Sequence, residues 1–471
     1  MKKRLFFWGL IFFLGCFLFG EWARVAHSLT TEEEKKMGQR ILHEMERKVE
    51  FVRDLLLQDF VDRVGRSLVA QVPSTPFEYR FFIIQSTDAN AYAIPGGYVF
   101  VTTGLLVLAD NEQEVAGVLS HEIAHVQRRH VAQMIERSKT INLASLAAML
   151  AGIFVGGGRG GEAIAMSSMA AAESLMLKYT REMESEADQV SLSYLVKAGY
   201  DPKGLIVFLT KLNRMNLTSA TKVPQYLLTH PITENRIALL ENLLLAGYPT
   251  SGPFRLSSDY KKIQAKAFVA EREPHVAVSH FESLVAAQPE ALEAYYGLGL
   301  AYGKMGRWDR SLEAFQKGCD LAPTDPDLLT AVGQTYILLG KLDQAVDQIE
   351  RARSLERETG REDDLATLYL LGRAYQEKGD TTKALPLLLK VEQRVPDFSE
   401  VNHNLGSLYG RRGEKGLSHF YFARYFRLKG EYNSALLHYK KALEGLKAGS
   451  PEREEAEREI KRLTSPGAIR G

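Results

Sequence analysis

The second half of this 471-residue chain repeats itself, and a repeat limits the available folds more than any single motif does. In YYGLGLAYGKMGRWDRSLEAFQKGCDLAP, characteristic small and large residues stand at Leu298, Gly299, Tyr302, Gly306, Phe315 and Pro323. Thirty-four residues on, Gly333, Tyr336, Gly340, Ala345 and Ala352 take up the pattern. After the charged insertion ERETGREDD it returns at Leu371, Gly372, Tyr375, Gly379, Ala384 and Pro396, then at Leu405, Gly406, Tyr409 and Gly413. A shortened unit leads to Gly430, Ala435, Tyr439 and Ala442, while Ala265, Phe268, Ala277, Phe281 and Pro289 fit a degenerate first copy. Small residues let paired helices approach closely, and aromatic and leucine side chains fill the groove between them. Generic helical hairpins need both kinds of residue too, but not at one period.

These offsets are those of the tetratricopeptide repeat, so residues 258–445 are expected to stack as an all-α solenoid with a concave surface for peptides or partner proteins. The segment SPEREEAEREIKRL, within 446–471, reads as a polar capping helix and tail. At the other end, Lys2, Lys3 and Arg4 precede the uncharged run Leu5–Gly20, which is short for the ~20 residues of a membrane span. A signal peptide over 1–28, cut after Ser28, fits best. An uncleaved anchor is the alternative, and Phe13 argues against Cys16 as a lipoprotein cysteine. Only Cys16 and Cys319 are present, so no disulfide framework supports the fold. A net charge of +1 gives no reason to expect nucleic acid as a partner.

Between signal and repeats, residues 29–250 hold VLSHEIAHVQRRH. On a helix His121 and His125, at i and i+4, share a face and can grip one metal ion. Glu122 beside them can take a proton from water. Apolar spacing from Val115 to Val126 predicts one helix from Asn111 to about Arg137. His130 would then sit about 900° round from His121, at roughly 100° per residue, on the opposite and solvated face. Zinc in a catalytic site takes three protein ligands. In KYTREMESEADQVSLSYLVKAGYDP, a second helix stopped by Gly199 and Pro202, Glu184 and Asp188 are spaced i, i+4. One could bind the metal while the other orients an imidazole. Glu182 and Glu186 read as a solvated acidic face, and spacing alone leaves that reading open for Glu184 as well.

NAYAIPGGYVFVTTGLL, HEIAH and REMESEAD, in this order, resemble the HtpX-like zinc metallopeptidases, a gluzincin family. With an export signal in front and repeats behind, the whole mature chain is similar to the group of that family that enhances β-barrel assembly in the bacterial periplasm. The resemblance implies His121, His125 and Glu184 as ligands of one zinc ion per chain, Glu122 as catalytic base and Asp188 as support behind the ligands. It also makes the stretch containing Asn90, Ala91, Tyr92 and Pro95 a substrate-binding edge. On residue types alone, FEYRFFIIQS and GGYVFVTTG read as strands, with Ile94–Gly97 as a turn, and a plain hairpin is the simpler use for them.

The fold class expected is therefore α+β: a mainly helical HExxH zinc metallopeptidase domain with a small β-sheet, then the solenoid. The peptidase domain should fold without residues from about Asp259 onward. Function follows the resemblance: an exported endopeptidase degrading misassembled outer-membrane β-barrel proteins, its repeats docking on the assembly machinery. A chaperone or scaffold acting mainly through its repeats is the alternative. The apolar run Ile141–Val155 and the glycines to Gly161 read as a core helix with a hinge, with a membrane-surface contact left open. Finally, Pro231 holds His230 extended before a helix starting near Ile232. Three roles compete for His230: stabilising an oxyanion, latching the zinc as a fourth ligand, or capping that helix and pairing with Glu234.

Overall fold

The computed structural model describes residues 29–137, 180–218, 223–231, 234–248, 254, 260–361 and 364–464. The expected signal peptide (1–28) and the apolar run from Ile141 to Gly161 lie outside the described residues. No described helix is long and apolar enough to cross a membrane.

The peptidase-like half is built on three strands: β1 (Arg80–Ile84), β2 (Ala91–Ile94) and β3 (Tyr98–Thr102). Their order is β1-β3-β2, with β1 parallel and β2 antiparallel to β3. The two segments read as strands from sequence are thus β1 and β3, and they do not form a hairpin. The hairpin joins β3 to β2, the stretch singled out as a substrate edge, through Pro95–Gly97, where Gly96 and Gly97 adopt positive φ of 91° and 97°. Alternation along the strands gives the sheet two faces. Phe81, Ile83, Ala91, Ala93, Val99 and Val101 enter the main core, while Ile84, Tyr92, Ile94, Tyr98 and Phe100 pack on Ile41, Leu42 and Met45 of α1 (Thr31–Glu46).

The main core is closed by α2 (Leu55–Val69), α3 (Thr103–Leu108) and α4 (Glu112–Gln127). Asn111 caps α4 by accepting from the Glu114 amide at 3.2 Å. Every residue of α4 from Val115 to Val126 is buried, so Val118, Leu119 and Ile123 each contribute about 1.5–3 kcal/mol of hydrophobic burial. Glu112 and Glu114, which favour the helix dipole, are themselves buried, and Arg63 (2.9 and 3.0 Å) and Lys211 (2.8 Å) neutralise them. Gly117 has a packing cause: a Cβ there would lie 2.5 Å from the Leu205 nitrogen, where α4 meets the helix Lys203–Thr218.

The single helix expected from Asn111 to Arg137 is in fact two. α4 ends at Gln127, Arg129 takes a left-handed φ of 57°, and α5 (His130–Arg137) sets off in a new direction. Arg129 is held there by its guanidinium, which pairs with Glu34 and reaches the Leu29 carbonyl. Beyond 180 come α6 (Arg181–Ala198), capped by Thr180 and stopped by Gly199 at φ 80°, and a short helix Gln225–Thr229 before the helix Glu234–Gly247.

The solenoid runs from Tyr260 to Thr464 as stacked antiparallel helices. The recurring glycines make the turns: Gly306, Gly340, Gly379, Gly413 and Gly430 all have φ between 70° and 85°. The shortened unit arises because the helix Lys415–Leu428 packs in two hairpins, with Ser399–Arg411 before it and Tyr432–Leu443 after it. The capping helix is present as Pro451–Thr464, with Ala456 and Leu463 turned inward.

The two halves are not separate beads. The first solenoid helix (Tyr260–Glu271) places Tyr260, Ile263 and Ala267 in the peptidase core, and the Tyr260 hydroxyl donates to the Leu106 carbonyl at 2.7 Å. In return, Leu55 and Leu56 of α2 pack into the solenoid, and Asp54 pairs with Lys266 at 3.0 Å. The later repeats reach back as well: Arg394 pairs with Asp59 at 3.1 Å and Arg53 donates to the Leu428 carbonyl at 2.9 Å, around a cavity of about 980 Å³. A boundary near 258 therefore runs through packing that the two halves share.

Candidate metal centre

Three segments converge under the sheet. α4 supplies His121, Glu122 and His125, α6 supplies Glu184 and Asp188, and the residue after the short helix Gln225–Thr229 is His230. All six are buried. His230 has φ −118° and ψ 80°, the non-helical geometry that Pro231 requires, and its ring stacks on Tyr226 at 4.5 Å. The next described helix begins at Glu234.

His121, His125, Glu184 and His230 each offer one ligand atom, all within 4.8 Å of one another. His121 Nε2 and His125 Nε2 are 3.0 Å apart, and the Glu184 oxygens lie 3.4 Å from His125 Nε2 and 3.6 Å from His121 Nε2. A tetrahedral ion with bonds of about 2.0–2.1 Å holds its ligands roughly 3.3 Å apart, so the cluster has the size and donor set of a zinc site. His230 Nδ1 is 3.0 Å from Glu184 and its Nε2 is 3.4 Å from Glu122, so this residue faces both carboxylates.

Behind the imidazoles, Asp188 Oδ1 stands 3.0 Å from His121 Nδ1. Sequence reasoning missed Arg236. Its guanidinium grips Asp188 bidentately at 2.8 and 2.9 Å, pairs with Glu184 and lies 3.3 Å from His121 Nε2. Nothing in the sequence ENRIALL separates a buried arginine from an exposed one, because the acidic partners lie about 50 residues away. His130 was misplaced. It is buried, not solvated, with its Nδ1 2.9 Å from His125 Nδ1 and its Nε2 3.2 Å from Glu186. Glu186, assigned to a solvated face, is exposed, and it also pairs with Arg128 at 3.1 Å. Glu182 is exposed, as expected.

The electrostatics suit the chemistry. Burial opposes a charge on Glu184 and Asp188, yet Arg236 and the surrounding histidines outweigh it and hold both below the usual carboxylate range. Burial also opposes a proton on His121, but Asp188 and Glu184 outweigh it and push that pKa up to about 9. Burial keeps His125 well below its ordinary value. Glu122 is the exception among the acids. Burial raises it, and neither of its oxygens makes a hydrogen bond among the described residues, with His230 Nε2 as the neighbour of Oε1 at 3.4 Å.

At the substrate-edge stretch, Asn90 pairs with Thr102, accepting from its amide at 3.0 Å and donating to its Oγ1 at 2.9 Å. By the alternation of antiparallel pairing, Ala91 and Ala93 turn their backbone groups away from β3. Asn90, Ala91, Tyr92 and Pro95 are all buried.

A helix carrying HExxH, facing a carboxylate from a second helix across a site of zinc dimensions, is the arrangement of a metallopeptidase. Comparison with known proteins gives the same class. Residues 54–244 match the family model of Peptidase family M48, and 264–326 and 326–395 match tetratricopeptide-repeat models. The chain thus carries an M48 peptidase domain followed by tetratricopeptide repeats. It is 34% identical over 212 residues to a putative beta-barrel assembly-enhancing protease of Vibrio cholerae, which is 45% of this chain and 44% of that protein. It is 26% identical over 374 residues to the beta-barrel assembly-enhancing protease of Escherichia coli K12, covering 74% and 72% respectively. The mitochondrial metalloendopeptidase OMA1 of Schizosaccharomyces pombe is 30% identical over 191 residues, 39% of this chain and 52% of that one. The match therefore spans less than half of the Vibrio relative's length.

Proposed function

We propose that this protein is an exported zinc endopeptidase of the periplasm that degrades misassembled outer-membrane β-barrel proteins, with its repeats engaging their assembly machinery. The observation that carries the peptidase reading is the buried ring of His121, His125, Glu184 and His230 around a site of zinc dimensions, with Glu122 beside it. Likeness to the beta-barrel assembly-enhancing proteases supports the choice of substrate and partner.

His121, His125 and Glu184 would hold the zinc ion, which when bound would supply Lewis acidity and lower the pKa of water toward ~7. Glu122, kept receptive by burial, takes the proton from the attacking water and passes it to the leaving amine. Asp188 and Arg236 hold His121 and Glu184 in register. The outward backbone groups of Ala91 and Ala93 pair with an extended substrate, a contact that tolerates many sequences. Since β2 is buried in this state, the edge must open to admit a strand. His230 is the latch in this reading: a fourth ligand withholds the site until a substrate or partner moves it.

Elemental analysis of the purified chain together with the Glu122→Gln variant tests the reading. The wild type is expected to hold about one zinc, and the variant to keep the metal while losing casein hydrolysis by at least ~100-fold. Less than about half an equivalent in the wild type refutes the zinc reading, and loss of zinc in the variant makes Glu122 structural. Full function of that variant in cells would instead favour the chaperone or scaffold reading.

A further inference from the structure

His125 presents two nitrogens to two different surroundings. Its Nε2 faces His121 and Glu184, the side where the metal would sit, while its Nδ1 meets His130 Nδ1 at 2.9 Å. His130 continues outward, its Nε2 lying 3.2 Å from Glu186, whose other oxygen lies 3.1 Å from Arg128. We propose that His130 and Glu186 form a relay that fixes His125 as a metal ligand, with His130 as a positioning residue; the inference rests on the zinc reading above.

The tautomers follow from the contacts. An imidazole that binds metal through Nε2 carries its proton on Nδ1, so His125 Nδ1–H donates and His130 Nδ1 accepts. His130 then carries its own proton on Nε2 and donates it to the Glu186 carboxylate. Each link has one donor and one acceptor, and the chain ends on an anion. His121 has the one-step version, with Asp188 directly against its Nδ1. Both ligand histidines are thus oriented from behind, which fixes ring direction and raises basicity toward a metal. The turn at Arg129 makes this possible: its left-handed φ of 57° ends the zinc helix and brings the next residue back against His125.

A purely space-filling role predicts that an aromatic ring of similar size suffices at His130. The relay predicts otherwise. Zinc affinity of the purified full chain, read by competition with a chromophoric chelator, distinguishes them. His130→Phe is expected to weaken zinc binding about 10- to 100-fold. His130→Gln, whose amide oxygen can accept from His125 Nδ1–H, should recover most of that loss, and Glu186→Ala should weaken binding in the same direction by a smaller factor. His130→Phe and Glu186→Ala both within twofold of the wild type would overturn the relay. If His130→Phe fails to fold, the exposed Glu186→Ala variant decides alone, and unchanged affinity there overturns the proposal. A wild type that binds no zinc fails the peptidase reading instead, so the two failures are distinguishable.

Discussion

Replacing Arg236 with methionine tests whether the metal centre is an electrostatic construction completed by an arginine. The guanidinium is buried and spans two buried carboxylates, Asp188 and Glu184. Removing one partner of a buried ion pair costs about 3–5 kcal/mol, because a charge is left without compensation. In the metal-free protein, His121 holds a proton up to about pH 9 and continues to compensate part of the pair, so the lower end, about 3 kcal/mol at pH 7.5, is expected. The pH dependence gives an independent check. In the wild type both carboxylates lie below their ordinary range, so the stability they add is present above ~4 and is lost as pH falls further. Without Arg236 the burial that opposes their charge is less fully offset, so both should titrate higher than in the wild type and the variant should lose stability relative to it as pH rises. The gap between the two proteins should therefore be small near pH 4 and open toward pH 7.5. Urea unfolding of chelator-treated wild type and Arg236→Met at both pH values measures it. A difference below about 1 kcal/mol at pH 7.5, or one just as large at pH 4, refutes the reasoning.

Further outcomes are expected elsewhere. His230→Ala should raise peptide hydrolysis and weaken zinc binding, since the ring sits 3.0 Å from Glu184 and within the ligand set; a ~100-fold fall in turnover would assign it to the oxyanion and defeat the latch. A chain ending at residue 258 loses Tyr260, Ile263 and Ala267 from the peptidase core, at a cost of about 5 kcal/mol or more against a total stability of about twice that, so it should be insoluble or molten; a folded, casein-cleaving fragment contradicts this. Burial, aided by Asp364, pushes Glu356 up to about 8, so its stabilising protonated form is complete below ~4.3 and lost as pH rises through 8. Glu356→Gln, which can keep the 2.7 Å bond from Thr367, should gain about 1–3 kcal/mol at pH 8.5 and little at pH 4.5 by thermal unfolding; equal gains at both would show packing, not charge, to be the cause.

The residues that depend on local periodicity were legible. His121, Glu122 and His125 share a helix, as do Glu184 and Asp188, and on a helix spacing alone decides which side chains meet. The solenoid was legible for the same reason, since each repeat contacts its neighbours at a fixed offset and its glycines mark the turns. Legibility ended where a single backbone angle or a distant partner decides. Arg129 at φ 57° breaks the helix that periodicity extended to Arg137, and that one turn moves His130 from solvent to the back of His125. Strand propensity found β1 and β3, but which strand pairs with which is a property of chain crossing, and the hairpin partner proved to be β2. Arg236 shows the limit most sharply: its residue type suggests exposure, and only the arrival of Glu184 and Asp188 from another helix makes its burial favourable. Sequence placed His121, Glu122 and His125 on one helix, Glu184 and Asp188 on another, and the repeating scaffold after them, because helical geometry is set within a few residues. Tertiary structure alone decided what stands behind those side chains and how the two halves pack on one another, because those contacts exist only once remote segments share one interior.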